Sequence, residues 1–198
     1  MPAAEDDAEK ADLKLYSFYL ERFTGRRDAA RAVHSLEAEM RAEWRNLLAA
    51  HHGDDATHDA LTTTLEDAMG VVKRGRHTTC WAYVHAYHIP AASVSYLALF
   101  QDSQAMLEQR LESLHKRCVP SALRWLTEEL TRDHAAGVVA VEKWRRAVTQ
   151  YAGATDKFRG NLLRAVEGGF MMSERDAALV AEAEHRHAAA RGGAGAPS

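Results

Sequence analysis

The chain of 198 residues carries 25 lysines and arginines against 28 aspartates and glutamates, which leaves a formal net charge of −3. This near-neutral balance provides no general attraction to nucleic acid or to an anionic membrane surface, and the longest apolar runs fall far short of the roughly 20 residues that a membrane span needs. Its two cysteines argue against a disulfide framework and exclude a zinc site built on cysteines.

Helical periodicity dominates the sequence, because apolar residues recur at spacings of three and four and no useful segment alternates as a strand would. We expect residues 1–11 to be disordered, residues 12–190 to form one helical domain, and residues 191–198 to be a disordered tail. The first helical pattern is either one kinked helix or two, because Gly25 costs about 1 kcal/mol relative to alanine.

A turn over residues 51–55 leads into a second long helix that is predicted to reach Ile89, about 33 residues or roughly 50 Å. Gly75 is a candidate interruption. Pro90 ends the helix, because proline lacks a backbone donor and restrains the residue before it. The side chains expected on the core face near its end are Trp81, Val84 and His88, with Tyr83 and Tyr87 beside them.

A third helix is predicted from about Ser93 to Arg117, and Pro120 fits the first turn of a fourth. The apolar face predicted for the third helix carries Leu97, Phe100, Leu107, Leu111 and Leu114.

Two further helices are predicted, divided at residues 152–154, with Thr155 or Asp156 as the cap of the second. Ser173 and Asp176 resemble a capping box for a last short helix. The expected fold is all-α, an elongated multi-helix bundle with long antiparallel helices.

Eleven histidines raise a metal hypothesis. His85 and His88 lie three residues apart on one predicted helix, with His77 two turns earlier, and such spacing allows two side chains to share a metal. No HExxH motif and no second helix with a Glu-x-x-His pattern accompany them. Partly buried, hydrogen-bonded histidines are therefore the favoured interpretation, and a metal site the alternative.

Neither cysteine is predicted to be catalytic. Cys80 lies on a core helix, where burial raises the pKa of a thiol, whereas the basic residues beside Cys118 favour its thiolate. No nucleophile elbow, P-loop or dinucleotide fingerprint is present. The short basic run at residues 73–77 is interpreted as a solvated helix face.

Two segments carry a resemblance to a known family. Cys80–Ile89 fits the pattern Y-V-x-A-Y with aromatic flanks, and Phe100–Glu108 fits F-x-D-x-Q-A-x-L-E. Upstream, Tyr19–Phe23 and His34–Glu39 are similar to an aromatic entry motif and to S-L-x-x-E. Together these segments resemble the Ariadne domain, the helical C-terminal module of Ariadne-type RING-between-RING ubiquitin ligases.

The resemblance implies a regulatory role. In that family the domain is similar to a clamp that shields the ubiquitin-receiving cysteine of the second RING and is released by a cullin ligase carrying its ubiquitin-like modifier. Acidic contacts of the clamp correspond here to Glu112 and Glu39, and an alternative register places the first contact at Leu36 and Glu37. A solvated helix face is the alternative interpretation of each acid.

Ligase chemistry in that family lies in zinc modules built from many cysteines, so this chain is not expected to form a ubiquitin thioester itself. We expect a regulatory domain without a cofactor. Its expected partners are a RING-between-RING module in cis or in trans, neddylated cullin-RING ligases and, indirectly, a ubiquitin-conjugating enzyme. The alternative is a stand-alone helical bundle that binds a metal or cofactor through His77, His85 and His88. No nucleic-acid or membrane partner is expected, and the expected location is the cytoplasm or nucleus.

Overall fold

Five α-helices make up the described part of the chain. The structure, a computed structural model, describes residues 2–49, 55–90 and 93–167. The predicted all-α bundle is confirmed, and no residue within those ranges lies in a strand. In chain order the helices are α1 (Pro2–Ala49), α2 (Asp55–His88), α3 (Val94–Cys118), α4 (Pro120–Arg132) and α5 (His134–Glu167).

Helix α1 is continuous over 48 residues, so the choice between one helix and two is resolved in favour of one. Gly25 lies inside it, and no atom stands within 4 Å of the position that a Cβ would occupy. The hydroxyl of Thr24 donates to the carbonyl of Leu20 at 2.9 Å. The helical backbone also includes residues 2–11, for which the sequence predicts disorder, and residues 9–11 are exposed. The division into domain and ends stays a prediction.

Helix α2 packs against α1, α3 and α5. Its 34 residues agree with the predicted length, and it ends at His88, two residues before Pro90. Gly75 does not interrupt it. A Cβ at Gly75 would collide with the side chain of Leu111, so this glycine allows α3 to approach α2 closely.

The core face predicted for the end of α2 is wrong at two of its three positions, whereas Val84 is partly buried. Trp81 is 54% exposed and His88 is exposed, whereas Ala82, Ala86 and Ile89 are buried. Small alanine side chains permit close contact between helices, and the larger indole is accommodated at the edge of that contact. The face predicted for α3 is confirmed. Its buried side chains are Phe100, Leu107, Leu111 and Leu114, and Leu97 is partly buried.

The buried side chains form two clusters along the bundle. The first, the Trp44 cluster, draws on all five helices, and its main members are Trp44, Leu65, Met69, Leu114 and Leu126. The second, the Phe100 cluster, draws on α1, α2, α3 and α5 and the turn after α2, and its main members are Tyr19, Ala86, Phe100, Leu107 and Leu162. The indole nitrogen of Trp44 donates to the carbonyl of Cys118 at 3.0 Å, which ties α1 to the end of α3.

Helices α4 and α5 confirm one predicted boundary and correct another. Pro120 is the first residue of α4, as predicted. Helix α5 is unbroken, so the predicted division at residues 152–154 is wrong. The hydroxyl of Thr155, a predicted cap, donates to the carbonyl of Tyr151 at 2.8 Å within the helix. Packing along the buried face of α5 outweighs the weak helix propensity of one glycine.

Some predictions concern positions outside the described residues. These are the capping box at Ser173 and Asp176, the tail from residue 191, and most of the turn over residues 51–55. Of the helices that the structure describes, none combines the length and the hydropathy that a bilayer crossing requires.

Candidate interaction site

The predicted acidic residues lie on two helices that flank α2. Glu37 on α1 binds Lys73 of α2, with its two oxygens 2.8 and 3.1 Å from the ammonium nitrogen. Arg41 contacts the same carboxylate at 2.9 Å. The Glu37 side chain is 12% exposed. The hydrogen bond from Lys73 lowers the pKa of this carboxyl, so Glu37 is charged and holds α1 against α2.

Glu39 differs from Glu37 although it is two residues away on the same helix. It is exposed, and none of the described residues forms an ion pair with it. Leu36 lies in α1, but its side chain is outside the described part of the chain. If the first acidic contact of the family corresponds to Glu39, its carboxylate has no ion pair with a described residue that a partner would need to break. The register with Leu36 and Glu37 would require two existing ion pairs to break.

Two of the predicted acids, Glu37 and Glu112, have neighbouring cations, and Glu112 on α3 is the more exposed of the two. Its side chain is 53% exposed, and its oxygens lie 3.6 Å from Lys116 Nζ and 3.9 Å from Arg76 Nη2. Both distances exceed that of a hydrogen bond, so the carboxylate keeps its acceptor capacity. Arg76 is less exposed, at 21%, and it also donates to the carbonyl of Ala29 at 3.4 Å.

His115, a titratable residue on α3, lies beside Arg76. The Nδ1 atom of His115 lies 3.5 Å from Arg76 Nη2. Burial lowers the pKa of His115, and the positive charge of Arg76 acts in the same direction. Neutral His115 is therefore compatible with an adjacent guanidinium at neutral pH.

Glu108 is an element of the site that sequence reasoning did not single out. Its oxygens accept hydrogen bonds from Arg26 on α1 at 2.6 Å and from the hydroxyl of Tyr83 on α2 at 3.1 Å. Glu108 thus joins three helices. It lines a groove of about 450 Å³ together with Arg26, Arg76 and Glu112. The resemblance includes Glu108, but its partners are distant in sequence, so no local signal indicates them.

A second groove lies between α1 and α2 and is aromatic. It has a volume of about 390 Å³ and includes Tyr16, Phe23 and Tyr87. The rings of Tyr16 and Tyr87 meet edge to face at 5.9 Å, and those of Phe23 and Trp81 at 5.6 Å. Tyr83 and Tyr87, predicted in the core, are partly buried. The exposed large side chains on this stretch of α1 are Leu13, Leu15, Tyr16, Phe18 and Leu20.

The three histidines of the metal hypothesis do not converge. His77 accepts a hydrogen bond from the indole of Trp81 at 3.2 Å, and His85 lies 3.0 Å from the hydroxyl of Tyr96. Both line a groove between α2 and α5, whereas His88 lines the aromatic groove on the other side of α2. Among the described residues, no group of three or more His, Cys, Asp or Glu side chains is arranged to hold a metal ion.

The cysteines are buried and free. Burial raises the pKa of the Cys118 thiol to about 12, far outweighing the opposing charge of Arg117, so the prediction of a favoured thiolate is wrong. Burial also raises the pKa of Cys80, as predicted. The thiol of Cys80 donates to the carbonyl of Phe23 at 3.7 Å, which is a structural contact.

The interpretation of the basic run at residues 73–77 of α2 as a solvated helix face is corrected in part. Lys73 pairs with a carboxylate of α1, Arg74 with Asp156 of α5 at 3.6 Å, and Arg76 approaches Glu112 of α3. Lys73 and Arg76 are 27% and 21% exposed, so the predicted solvated face is wrong for these two residues, whereas Arg74 at 54% and His77 are exposed as predicted. This run distributes one cation to each helix that packs on α2.

Comparison with known proteins gives a distant relation. No family model matches the chain, and no solved structure matches it. The chain is 24% identical over 176 residues to a protein of Dictyostelium discoideum described as probable E3 ubiquitin-protein ligase rbrA. The similarity covers 87% of this chain and 31% of that protein, so the chain spans about a third of its relative's length.

Proposed function

We propose that this chain is a regulatory protein-interaction domain that covers the ubiquitin-receiving cysteine in the second RING of a RING-between-RING ubiquitin ligase. The observation that carries the proposal is the similarity to a probable ubiquitin ligase, which extends over 87% of the chain. The two segments that resemble the Ariadne domain are neighbours in the bundle, which supports the proposal. Tyr83 of the first segment donates a hydrogen bond to Glu108 of the second.

The proposed contact uses free carboxylates beside an ordered helical surface. Glu39 is exposed, and Glu112 has only long contacts to cations. A basic or hydrogen-bond-donating surface of the second RING would bind these two acids at little cost, since no strong internal pair must break. Glu37 would contribute indirectly, because its ion pairs fix the part of α1 that presents Glu39.

The mechanism in this proposal is occlusion. The domain lies over the reactive thiol and prevents transfer of ubiquitin from the conjugating enzyme, and it contributes no reacting group. A neddylated cullin-RING ligase would restore activity by binding better to the open form than to the closed form. The catalytic module is in cis or in trans to this chain, and the cytoplasm or nucleus is the proposed location.

The test combines the purified chain with the RING-between-RING catalytic fragment of an Ariadne-type ligase and a ubiquitin-loaded conjugating enzyme. We expect the chain to slow the discharge of ubiquitin, and we expect Glu112→Ala and Glu39→Ala to weaken this inhibition. Glu128→Ala is the matched control, because Glu128 is an exposed acid on α4, outside the proposed surface. Unchanged discharge together with no detectable complex would count against the proposal.

A further inference from the structure

The first part of α1 presents a group of exposed apolar side chains. Five large ones lie within eight residues, and each is between 41% and 64% exposed, namely Leu13, Leu15, Tyr16, Phe18 and Leu20. Exposed apolar side chains that share one patch commonly mark an interaction surface. This part of α1 is therefore a candidate for contact with another chain.

Helix α1 also extends past the end of α2. Phe23 contacts Trp81 and Tyr16 contacts Tyr87, so the two helices run in opposite directions. Tyr87 is one residue before the last residue of α2, and fourteen residues of α1 precede Tyr16. At 1.5 Å per residue, α1 projects roughly 20 Å beyond α2.

One face of this part of α1 has a heptad pattern, which we call the heptad stripe. Its six residues follow one another at alternating spacings of four and three, in the order Glu9, Leu13, Tyr16, Leu20, Phe23 and Arg27. Such spacing keeps side chains in one row along a helix, and it is the pattern by which two helices pack in a coiled coil. The four central residues are apolar, and the two end residues carry opposite charges.

The heptad stripe borders the aromatic groove between α1 and α2. Tyr16, Leu20 and Phe23 of the stripe line that groove, and Tyr83 and Tyr87 line its other side. A helix placed along the stripe would therefore contact apolar side chains of both α1 and α2. Burial of such surface contributes roughly 25 cal/mol for each Å² removed from water.

The charged ends of the heptad stripe are accessible. Glu9 is exposed. The side chain of Arg27 is 43% exposed, and its Nε atom lies 3.5 Å from the carboxylate of Asp28. This distance exceeds that of a charge-assisted hydrogen bond, so the guanidinium keeps donors for a further carboxylate.

We propose that two copies of this chain pair in antiparallel orientation along the heptad stripe of α1. With the two-fold axis level with Phe18, Glu9 lies opposite the partner's Arg27, because each is nine positions from Phe18. A two-fold axis repeats this contact, so the pair has two such ion pairs. A parallel pair would instead place Glu9 beside the partner's Glu9, and like charges on facing helices disfavour that orientation.

The same two-fold axis matches the apolar residues. Leu13 lies opposite the partner's Phe23, and Tyr16 lies opposite the partner's Leu20, since the members of each pair are equally distant from the axis. The part of α1 that projects beyond α2 is then covered by α1 of the partner subunit. Helices α1 and α2 of both subunits together form a four-helix contact.

This inference does not depend on the proposed function, because Glu39 and Glu112 lie outside the heptad stripe. A monomeric chain could still cover a catalytic cysteine, and a dimeric one could fail to do so. A second copy is favoured as the occupant because the stripe is complementary to itself, both in its apolar residues and in its charges.

Sedimentation equilibrium of the full chain over a range of concentrations measures the dissociation constant of the dimer. We expect Leu13→Asp with Tyr16→Asp to raise this constant more than about a hundredfold, because both changes place carboxylates in the apolar part of the stripe. Phe18→Asp is the matched control. Phe18 is an exposed apolar residue on the side of α1 away from the stripe, so its replacement should leave the constant unchanged. Far-UV circular dichroism verifies that each variant remains helical.

Exchange of the two charges tests the antiparallel direction. We expect Glu9→Arg and Arg27→Glu each to raise the dissociation constant about tenfold, because each change opposes like charges twice in the dimer. The combined variant should bind like the wild type, since its ion pairs are restored in reverse. Failure of the combined variant to recover affinity would overturn the antiparallel pairing.

Two further results would overturn the proposal. One is a wild-type chain that stays monomeric even at millimolar concentration. The other is a dimer that survives the changes at Leu13 and Tyr16, which would assign the association to another surface.

Discussion

At the scale of single residues, neighbours on one helix have different roles because their surroundings differ. Glu37 and Glu39 are two positions apart on α1. The first is enclosed by Lys73 and Arg41, and the second faces solvent. An ion pair that is mostly shielded from water contributes more than an exposed one, and its loss leaves an uncompensated charge behind. Glu37 therefore helps to hold α1 against α2, whereas Glu39 is exposed and has no ion pair with a described residue.

Replacement of these two acids separates the roles. We expect Glu37→Ala to lower the free energy of unfolding by about 1–2 kcal/mol, because Lys73 loses its hydrogen-bonded partner. Solvent screening of the partly exposed Lys73 side chain keeps the effect from being larger. Glu39→Ala, the matched control, should change the free energy of unfolding by less than about 0.5 kcal/mol. Urea unfolding at pH 7 measures both. A larger effect of Glu39→Ala than of Glu37→Ala would contradict this assignment.

The same pair predicts a pH dependence. Lys73 lowers the pKa of Glu37 in the folded chain below its ordinary value of 4.5, so the unfolded chain binds a proton more readily. The stabilisation is fully present above that ordinary value and is lost as the pH falls through the lower folded value. The difference between wild type and Glu37→Ala should therefore narrow between pH 7 and pH 3 in urea unfolding. A constant difference would show that Glu37 acts by packing alone.

The candidate site could be predicted from the sequence only in part. Residue types and the resemblance identify Glu39, Glu112 and Glu37 as acids of interest. They do not reveal that Lys73 neutralises Glu37, because the partner is 36 positions away. The role of Glu108 depends likewise on Arg26 and on a tyrosine from other helices. Partners that are distant in the chain are fixed by packing, and one sequence contains no direct signal of them.

At the scale of helices, glycine has two opposite roles in this bundle. Gly137 lies where α5 crosses α4, and a Cβ there would stand 2.5 Å from the Cα of Leu130. The backbone of α4 cannot yield as a side chain can, so this glycine is required for the contact. Gly153 lies on the exposed side of α5, and no atom stands within 4 Å of the place that an added methyl group would take, so nothing requires a glycine there.

Alanine substitution distinguishes the two glycines. We expect Gly137→Ala to destabilise the chain by about 1–3 kcal/mol, because the added methyl group forces α4 and α5 apart. Gly153→Ala should instead stabilise it by up to about 1 kcal/mol, since alanine has the higher helix propensity. Thermal unfolding followed by circular dichroism measures both changes. A stabilising effect of Gly137→Ala would show that the two helices can separate without cost.

The helices themselves could be predicted more reliably than their faces. The end of α2 near Pro90 and the start of α4 at Pro120 follow from the restrictions that proline imposes, and both are observed. The break predicted in α5 is absent, because tertiary packing outweighs the propensity of one glycine. The face of α2 differs from the prediction because two of the buried residues there are small alanines, Ala82 and Ala86, whereas the large side chain of Trp81 is exposed. Hydrophobicity alone ranks them in the opposite order.

At the scale of the whole molecule, two buried clusters share the same long helices. Leu111 belongs to the Phe100 cluster and Leu114 to the Trp44 cluster, and they are one turn apart on α3. Helices α1, α2 and α5 also contribute to both clusters. Loss of packing in one cluster therefore strains helices that form the other, and we expect the described bundle to unfold as one unit.

A substitution in the Phe100 cluster, with unfolding observed at the Trp44 cluster, tests whether the bundle unfolds as one unit. Phe100 is fully buried, so Phe100→Ala should cost about 3–5 kcal/mol, whereas Leu99→Ala, a control at an exposed neighbour on α3, should cost little. In a Trp81→Phe background the remaining tryptophans are Trp44, Trp125 and Trp144.

These three tryptophans lie on α1, α4 and α5, and two of them belong to or pack on the Trp44 cluster. For Phe100→Ala, the urea midpoint from tryptophan emission should fall together with the midpoint from far-UV circular dichroism, because helices common to both clusters transmit the loss of packing. Two separate transitions, with the emission midpoint unchanged while helix content falls at lower urea, would show that the clusters unfold independently. The long shared helices would then act as flexible connections between two separately stable ends.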